Sequence, residues 1–260
     1  MSLELIDTHC HLDYEPLAGS RDAVLARAEA AGVRAMVSIG TTVATSRANV
    51  DLAHRYPQVF AAVGVHPHEA DTVTDAHLAE VEALAADPRV VAVGEIGLDF
   101  YYKNSSVDGQ RRVFEAFLGL ARRRELPIAI HCRDAYEPLL EMLRVAAPAW
   151  RGVMHCASGT PDFIGGALAL GFYVSFSGTV TFANATSTRA LVPLVPDDRL
   201  LIETDAPFLA PQPVRGKPNE PAYLAHTAAH LAKLRGISVE ALGTLTSRNA
   251  RHLFRLPPDA

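Results

Sequence analysis

Leu3-Glu4-Leu5-Ile6-Asp7-Thr8-His9-Cys10-His11 joins an apolar, strand-like run to a cluster of metal-ligand residue types. On an extended chain, side chains two apart project to the same side. His9 and His11 therefore fall together, with Asp7 one layer deeper. Two neutral imidazoles at that spacing can hold a divalent cation, and Asp7 could orient such a ligand from behind. Taken alone, His-x-His is equally compatible with two ordinary histidines. Recurrence changes the weighting. Glu95 ends the apolar run 90–95, His131 ends 127–131, His155 ends 152–155, and Asp205 follows the run 200–204.

Working outward, strand-like segments are expected at 3–7, 35–39, 60–65, 90–95, 127–131, 152–155, 172–176 and 200–204. Helical periodicity lies between them, for example over 20–31, 75–86 and 108–125, with two more helices near 219–235 and 238–253. Ser20 and Thr160 read as N-caps, and Gly32 as the close of the first helix. Eight strands alternating with helices predict a single (β/α)8 TIM barrel over residues 1–260. A doubly wound open sheet is the alternative, but it usually carries a Gly-rich turn after its first strand. Here that turn is His-Cys-His. The Pro-rich stretch 210–220 follows the last strand and is expected at the barrel mouth.

Composition narrows the function classes. The 260 residues are 49% hydrophobic and 7% aromatic, as in an ordinary globular protein. A formal charge of −5 excludes a broad basic surface for a duplex, so any phosphate must be gripped locally. No apolar run is long enough to span a membrane, and nothing near the N-terminus reads as a secretory signal, so the expected location is cytoplasmic. The three cysteines each follow a histidine (Cys10, Cys132, Cys156). If the histidines face a central site, strand parity turns the thiols outward toward packed helices.

In a parallel barrel every strand ends at the same mouth, where reaction sites are built. Charges there are costly unless paired or bound to metal. Four histidines and two carboxylates exceed the ligand set of one zinc ion, so two divalent ions sharing a ligand are expected. Carboxylated lysine could bridge such ions, but Lys103, Lys217 and Lys233 do not end strands. Glu95 is the well-placed bridge, and a hydroxide activated by the two ions is the expected nucleophile. Asp205 would bind one ion and accept the proton of the attacking water. Histidine-rich ligation leaves Zn²⁺, Mn²⁺, Mg²⁺ and Co²⁺ open.

Seven motifs along nearly the whole chain resemble the TatD-type metal-dependent hydrolases, a branch of the amidohydrolase-like barrels. They are Asp-Thr-His-Cys-His-Leu at 7–12, Gly-Val-His-Pro-His at 64–68, Gly-Glu-Ile-Gly-Leu-Asp-Phe at 94–100, His-Cys-Arg-Asp-Ala at 131–135, His-Cys-Ala-Ser-Gly at 155–159, Glu-Thr-Asp-Ala-Pro at 203–207 and Asn-Glu-Pro at 219–221. The resemblance implies that His9, His11, Glu95 and Asp205 hold one ion and that Glu95, His131 and His155 hold the other. It also implies phosphodiester hydrolysis, commonly as a deoxyribonuclease trimming single-stranded DNA from the 3′ end. Ala157 departs from the Phe frequent in that family, which is expected to widen the pocket or remove a stacking surface.

Around the ligands, His66 is expected at the mouth as a substrate-phosphate or transition-state contact. His68 either joins it or caps the next segment. Arg133 shares parity with His131, and its fork can grip a phosphate oxygen; the competing role is a salt bridge to Asp99 or Glu203. Asp134 is expected to cap the following helix, and Glu203 to serve the inner hydrogen-bond network. Two rival functions use the same residues: hydrolysis of a cyclic amide, lactone or acyl ester at the metals, and a metal-stabilised binding protein without turnover. No obligate protein partner is evident, and neither a nucleophile elbow nor a phosphate loop occurs.

Overall fold

The computed structural model describes residues 3–147 and 149–258. Eight strands pair in parallel, each with its successor in the chain. They are β1 (Leu5–Cys10), β2 (Val33–Ile39), β3 (Val59–Val63), β4 (Val90–Asp99), β5 (Ile128–Arg133), β6 (Gly152–Met154), β7 (Tyr173–Phe176) and β8 (Leu200–Ile202). Between them run α1 (Arg21–Ala30), α2 (Val43–Arg55), α3 (Asp75–Leu84), α4 (Val107–Arg124), α5 (Tyr136–Ala146), α6 (Pro161–Ala169) and α7 (Thr186–Leu191). Helices α8 (Leu224–Arg235) and α9 (Val239–Phe254) follow β8. The sheet curls into a nearly closed (β/α)8 barrel, as the alternation of patterns predicts.

Two apolar clusters account for the layering. Ile6, Val37, Phe60, Ala92, Val153 and Leu201 point inward and pack with Leu253 and Phe254 of α9, filling the barrel interior. Leu5, Met36, Ile96, Ile130 and Val174 point the other way, onto helix residues such as Val24, Phe114, Phe117 and Leu139. This opposition of neighbours is strand periodicity acting on strands buried on both faces.

The seam between the first and last strands is closed largely by polar groups. Asp205 donates its backbone N–H to the His9 carbonyl at 2.8 Å, and His11 donates to Ala206 at 2.7 Å. Asp7 is fully buried and accepts from the Thr204 N–H at 3.0 Å, the Thr204 hydroxyl at 2.6 Å and the His9 N–H at 3.3 Å. Burial pushes its pKa up to about 7, against the pull of these donors. Asp7 thus orients backbone at the seam, not an imidazole as the spacing had suggested.

Some boundaries move. β1 continues through His9 and Cys10, and β4 runs on to Asp99, so Glu95 lies within a strand beside a register shift between Val93 and Ile96. Ser20 precedes α1 without a side-chain capping bond, whereas Thr160 accepts from the Phe163 N–H at 3.2 Å as expected. Gly32 follows α1 at φ 91°, in the left-handed region a helix end often needs. α8 starts at Leu224, later than its pattern suggests, because Pro221–Tyr223 forms a separate 3-10 turn. Among the described residues, no helix is long and apolar enough to cross a membrane.

Replacing Asp7 by Ala strands three buried donors in a seam that water cannot reach. The expected loss is about 3 kcal/mol of unfolding free energy, measured by urea denaturation of Asp7→Ala beside the parent.

Candidate metal centre

Six ligand-type side chains meet where the strands end. His9 belongs to β1 and His11 follows it. Glu95 lies in β4, His131 in β5, His155 just beyond β6 and Asp205 beyond β8. Asp205 is held at φ 58°, which swings its carboxylate toward the first strand. A cavity of about 700 Å³ opens there, lined by His11, His66, Glu95, His131, His155 and Asp205 among others.

Glu95 sits at the centre, only 4% exposed. Its Oε1 lies 2.9 Å from His131 Nδ1 and 3.0 Å from His155 Nε2. Its Oε2 lies 3.4 Å from His9 Nε2 and 4.0 Å from His11 Nε2. Oε2 therefore faces one pair of imidazoles, and Oε1 faces another pair together with His66. Burial alone would raise its pKa, but the His155 charge, with hydrogen bonds from His131 and His155, holds it well below the usual carboxylate range. Asp205 Oδ1 closes the first group at 3.3 Å from His11 Nε2 and 3.6 Å from His9 Nε2. Burial opposes its ionisation too, yet the hydrogen bond from His11 and the charges of the neighbouring histidines keep its pKa lowered.

The second nitrogen of each imidazole defines its chemistry. His11 Nδ1 donates to the Ile39 carbonyl at 3.0 Å, so Nε2 is the nitrogen that meets Asp205 and the one left to a cation once it loses its proton. His155 Nδ1 faces Glu203 Oε1 at 3.2 Å while its Nε2 faces Glu95. His9 stacks on His155 with centroids 4.0 Å apart, and neither of its buried ring nitrogens makes a hydrogen bond. Burial, reinforced by the His155 charge, lowers the His9 pKa, which favours a neutral ring. An unpartnered lone pair in a dry pocket, 3.4–3.6 Å from two carboxylates, suits a divalent cation. Ligand atoms of three trios lie within 4.8 Å of one another: His9, His11 and Asp205; His9, His155 and Glu203; His66, Glu95 and His131.

The third trio divides on the same logic. His66 Nδ1 accepts the backbone N–H of His68 at 3.1 Å. A neutral His66 then carries its proton on Nε2, the nitrogen 3.6 Å from Glu95 Oε1. Burial pushes its pKa down to about 3, so it is neutral at physiological pH. Its cavity-facing nitrogen is a donor, suited to a substrate oxygen and unsuited to a cation.

Several surrounding residues depart from expectation. His66, not His68, caps the 3-10 turn Pro67–Thr72. His68 Nε2 instead meets Asp99 Oδ2 at 2.9 Å, and the same oxygen lies 2.9 Å from His131 Nε2. Asp99 thus backs a ligand candidate, a role the spacing alone did not assign. Arg133 forms no salt bridge with Asp99 or Glu203; it is exposed and lies over Tyr101 and Tyr102. Asp134 does not cap α5, whose N-cap Ala135 receives no side-chain bond. Ala157 is buried in the helix-facing core and does not itself line the cavity, although its neighbours Cys156 and Ser158 do. Glu203 accepts the Cys156 N–H at 2.7 Å and stands at the edge of the ligand cluster.

Cys10 faces the outer core as strand parity predicts, and Cys132 packs against that core while also bordering the cavity. Cys156 differs: φ 46° turns it into the cavity lining, with Sγ 3.2 Å from Ser177 Oγ. Burial pushes the Cys132 and Cys156 thiols up to about 12, leaving them protonated and poor ligands. Gly97 permits the close contact that seats His131: at φ 144°, a Cβ there would lie 1.9 Å from the His131 carbonyl oxygen.

A (β/α)8 barrel whose strand ends converge on imidazoles and carboxylates is the architecture of a metal-dependent hydrolase. Residues 6–255 match the family model described as TatD related DNase, and the chain belongs to that family. It is 40% identical over 253 residues to the metal-dependent hydrolase YabD of Bacillus subtilis (strain 168), covering 97% of this chain and 99% of YabD. It is 38% identical over 258 residues to the 3'-5' ssDNA/RNA exonuclease TatD of Salmonella typhimurium, covering 97% and 99%. The crystal structure of YJJV, a TatD homolog from Escherichia coli K12, superposes with a TM-score of 0.92 at 32% identity, covering 97% and 98%. The protein is a metal-dependent hydrolase of ester bonds.

Glu203→Ala removes the acceptor opposite His155 Nδ1 without touching a cavity-facing nitrogen. Metal affinity is expected to fall about 10–100-fold, read by titrating the metal-stripped variant with Zn²⁺ or Mn²⁺. Unchanged affinity would show that Glu203 does not orient His155.

Proposed function

We propose that this single-domain barrel is a two-metal phosphodiesterase acting on nucleic acid, most specifically a cytoplasmic 3′–5′ exonuclease on single-stranded DNA. One observation carries the two-metal reading: Glu95 turns one oxygen to the His9–His11 pair and the other to the His131–His155 pair. His9, His11, Glu95 and Asp205 would hold one cation, and Glu95, His131 and His155 the other. Two divalent cations would supply Lewis acidity toward a phosphoryl oxygen and lower the pKa of water. The nucleic-acid reading draws on the relatives described as ssDNA/RNA exonucleases.

The chain's own groups divide the remaining work. Asp205 is ionised at neutral pH and stands at the mouth, so its carboxylate can accept the proton of the attacking water. His66 offers Nε2–H toward Glu95, where it can donate to a non-bridging phosphate oxygen as charge builds. Arg133 keeps its guanidinium free of carboxylate partners among the described residues and can neutralise a neighbouring phosphate. Asp99 and Glu203 fix the rings of His131 and His155. The barrel walls hold these groups in place before substrate arrives.

Glu95→Ala should abolish hydrolysis and reduce bound metal toward one equivalent or fewer, measured by elemental analysis beside turnover. Asp205→Asn should retain most metal yet lose at least about 100-fold in kcat. A product ladder on end-labelled single strands then tests polarity. Shortening from the 3′ end supports the exonuclease reading, whereas internal fragments, or full activity in Asp205→Asn, overturn it.

A further inference from the structure

Outside the ligand cluster, the most unusual surface at the mouth is aromatic. Tyr101 and Tyr102 are 56% and 53% exposed, although only Phe100 separates them from a fully buried strand. Arg133 lies over both rings, its guanidinium carbon 4.3 Å from the Tyr101 centroid and 4.7 Å from that of Tyr102. The two rings meet edge to face, with centroids 4.9 Å apart. Tyr102 and Arg133 line the metal-site cavity, so the patch is continuous with it.

The loop that bears these rings is tightly braced. Asp99 Oδ1 accepts the backbone N–H groups of Tyr101 at 3.0 Å and Tyr102 at 2.9 Å. Its other oxygen meets His131 and His68. Gln110 donates to the carbonyls of Asp99 and Ser105, and the Ser105 hydroxyl donates to that of His68. One carboxylate therefore fixes both the ring of His131 and the backbone of the tyrosine pair. The aromatic surface is held at a set offset from the reacting centre.

The geometry points to Tyr101, Tyr102 and Arg133 as a stacking platform for an unpaired nucleobase next to the phosphate held at the metal centre. This inference rests on the nucleic-acid reading given above and names the part of the substrate that the mouth recognises. Every base offers a π-face, so an aromatic platform holds single strands with little sequence preference. A base locked in a duplex cannot present that face. Arg133 supports the choice of occupant. It makes no ion pair among the described residues, so its charge is available to a phosphate beside the stacked base. In a chain of net charge −5, a short grip of this kind fits better than a long basic groove.

The test pairs a protein change with a substrate change. Metal-loaded Tyr101→Ala and Tyr101→Trp enzymes are compared with the parent on single-stranded oligonucleotides carrying one abasic site at successive positions near the end that is cleaved. For the parent, one abasic position should raise KM on the order of tenfold, the loss of one base–aromatic stack. Tyr101→Ala should show that rise already on the intact strand and no further rise from the abasic site. Tyr101→Trp should restore both the low KM and the sensitivity. A misplaced metal centre would instead lower kcat on every substrate equally. If the parent does not hydrolyse oligonucleotides, the nucleic-acid reading fails. If it does, and Tyr101→Ala keeps the parent's KM and abasic sensitivity, the platform is wrong while that reading stands.

Discussion

A carboxylate buried in a protein interior needs opposite charge or strong hydrogen bonds to remain ionised. Glu95 has imidazoles on every open side, and its position organises the mouth. To reach it, β4 shifts register between Val93 and Ile96, and the Glu95 N–H bonds to the Gly40 carbonyl at 2.9 Å. The central anion thereby draws strands from opposite parts of the barrel to one point. The polar seam of Asp7, Thr204 and Asp205 then sets His9 and His11 against its far side. Closing the barrel and assembling the ligand set are one event. The same hydrogen bonds that join β1 to the segment after β8 hold His9, His11 and Asp205 in place.

Histidines of identical chemistry acquire different tasks from what their second nitrogen meets. A backbone carbonyl opposite His11 and a carboxylate opposite His155 each leave Nε2 for the centre. A backbone N–H opposite His66 does the reverse and makes its Nε2 a donor. Proximity alone groups His66 with Glu95 and His131 as a possible cation site. Tautomer logic removes His66 from that group and gives it to the substrate. The separation between candidate metal ligands and the proposed phosphate contact thus follows from backbone capping at residues 66–68.

Much of this was legible in the sequence because barrel strands report their periodicity directly. A ligand at each strand end needs no tertiary information beyond the barrel itself. Asp99 was harder to recognise, since the apolar run reads as ending at Glu95. The signal existed: residues 95, 97 and 99 share one face if the strand continues past the charge. Cys156 and Asp134 failed for another reason. Both take positive φ, at 46° and 53°, where strand parity no longer says which way a side chain points. Ala157 follows that turn and packs on the helix side. Capping at Ser20 failed for want of a geometry that composition does not encode.

Under the proposed function, the balance of charge at the mouth bears on how an acidic protein can accept a polyanion. Glu95, Asp99 and Asp205 line the cavity with Glu203 buried nearby, while among the described residues Arg133 is the Lys- or Arg-type cation lining it. Histidines that ligate metal do so as neutral rings and contribute no charge of their own. Without metal, protons on imidazoles such as His155 and His131 offset part of the carboxylate charge. Divalent cations would take the place of those protons and put the largest charge in the site where a scissile phosphate would sit. Substrate affinity and metal loading are therefore coupled, with the carboxylates binding the cations and the cations binding the substrate. The proposed nuclease could thus keep a net negative surface and still recognise phosphate, provided recognition is confined to the few ångströms around Glu95.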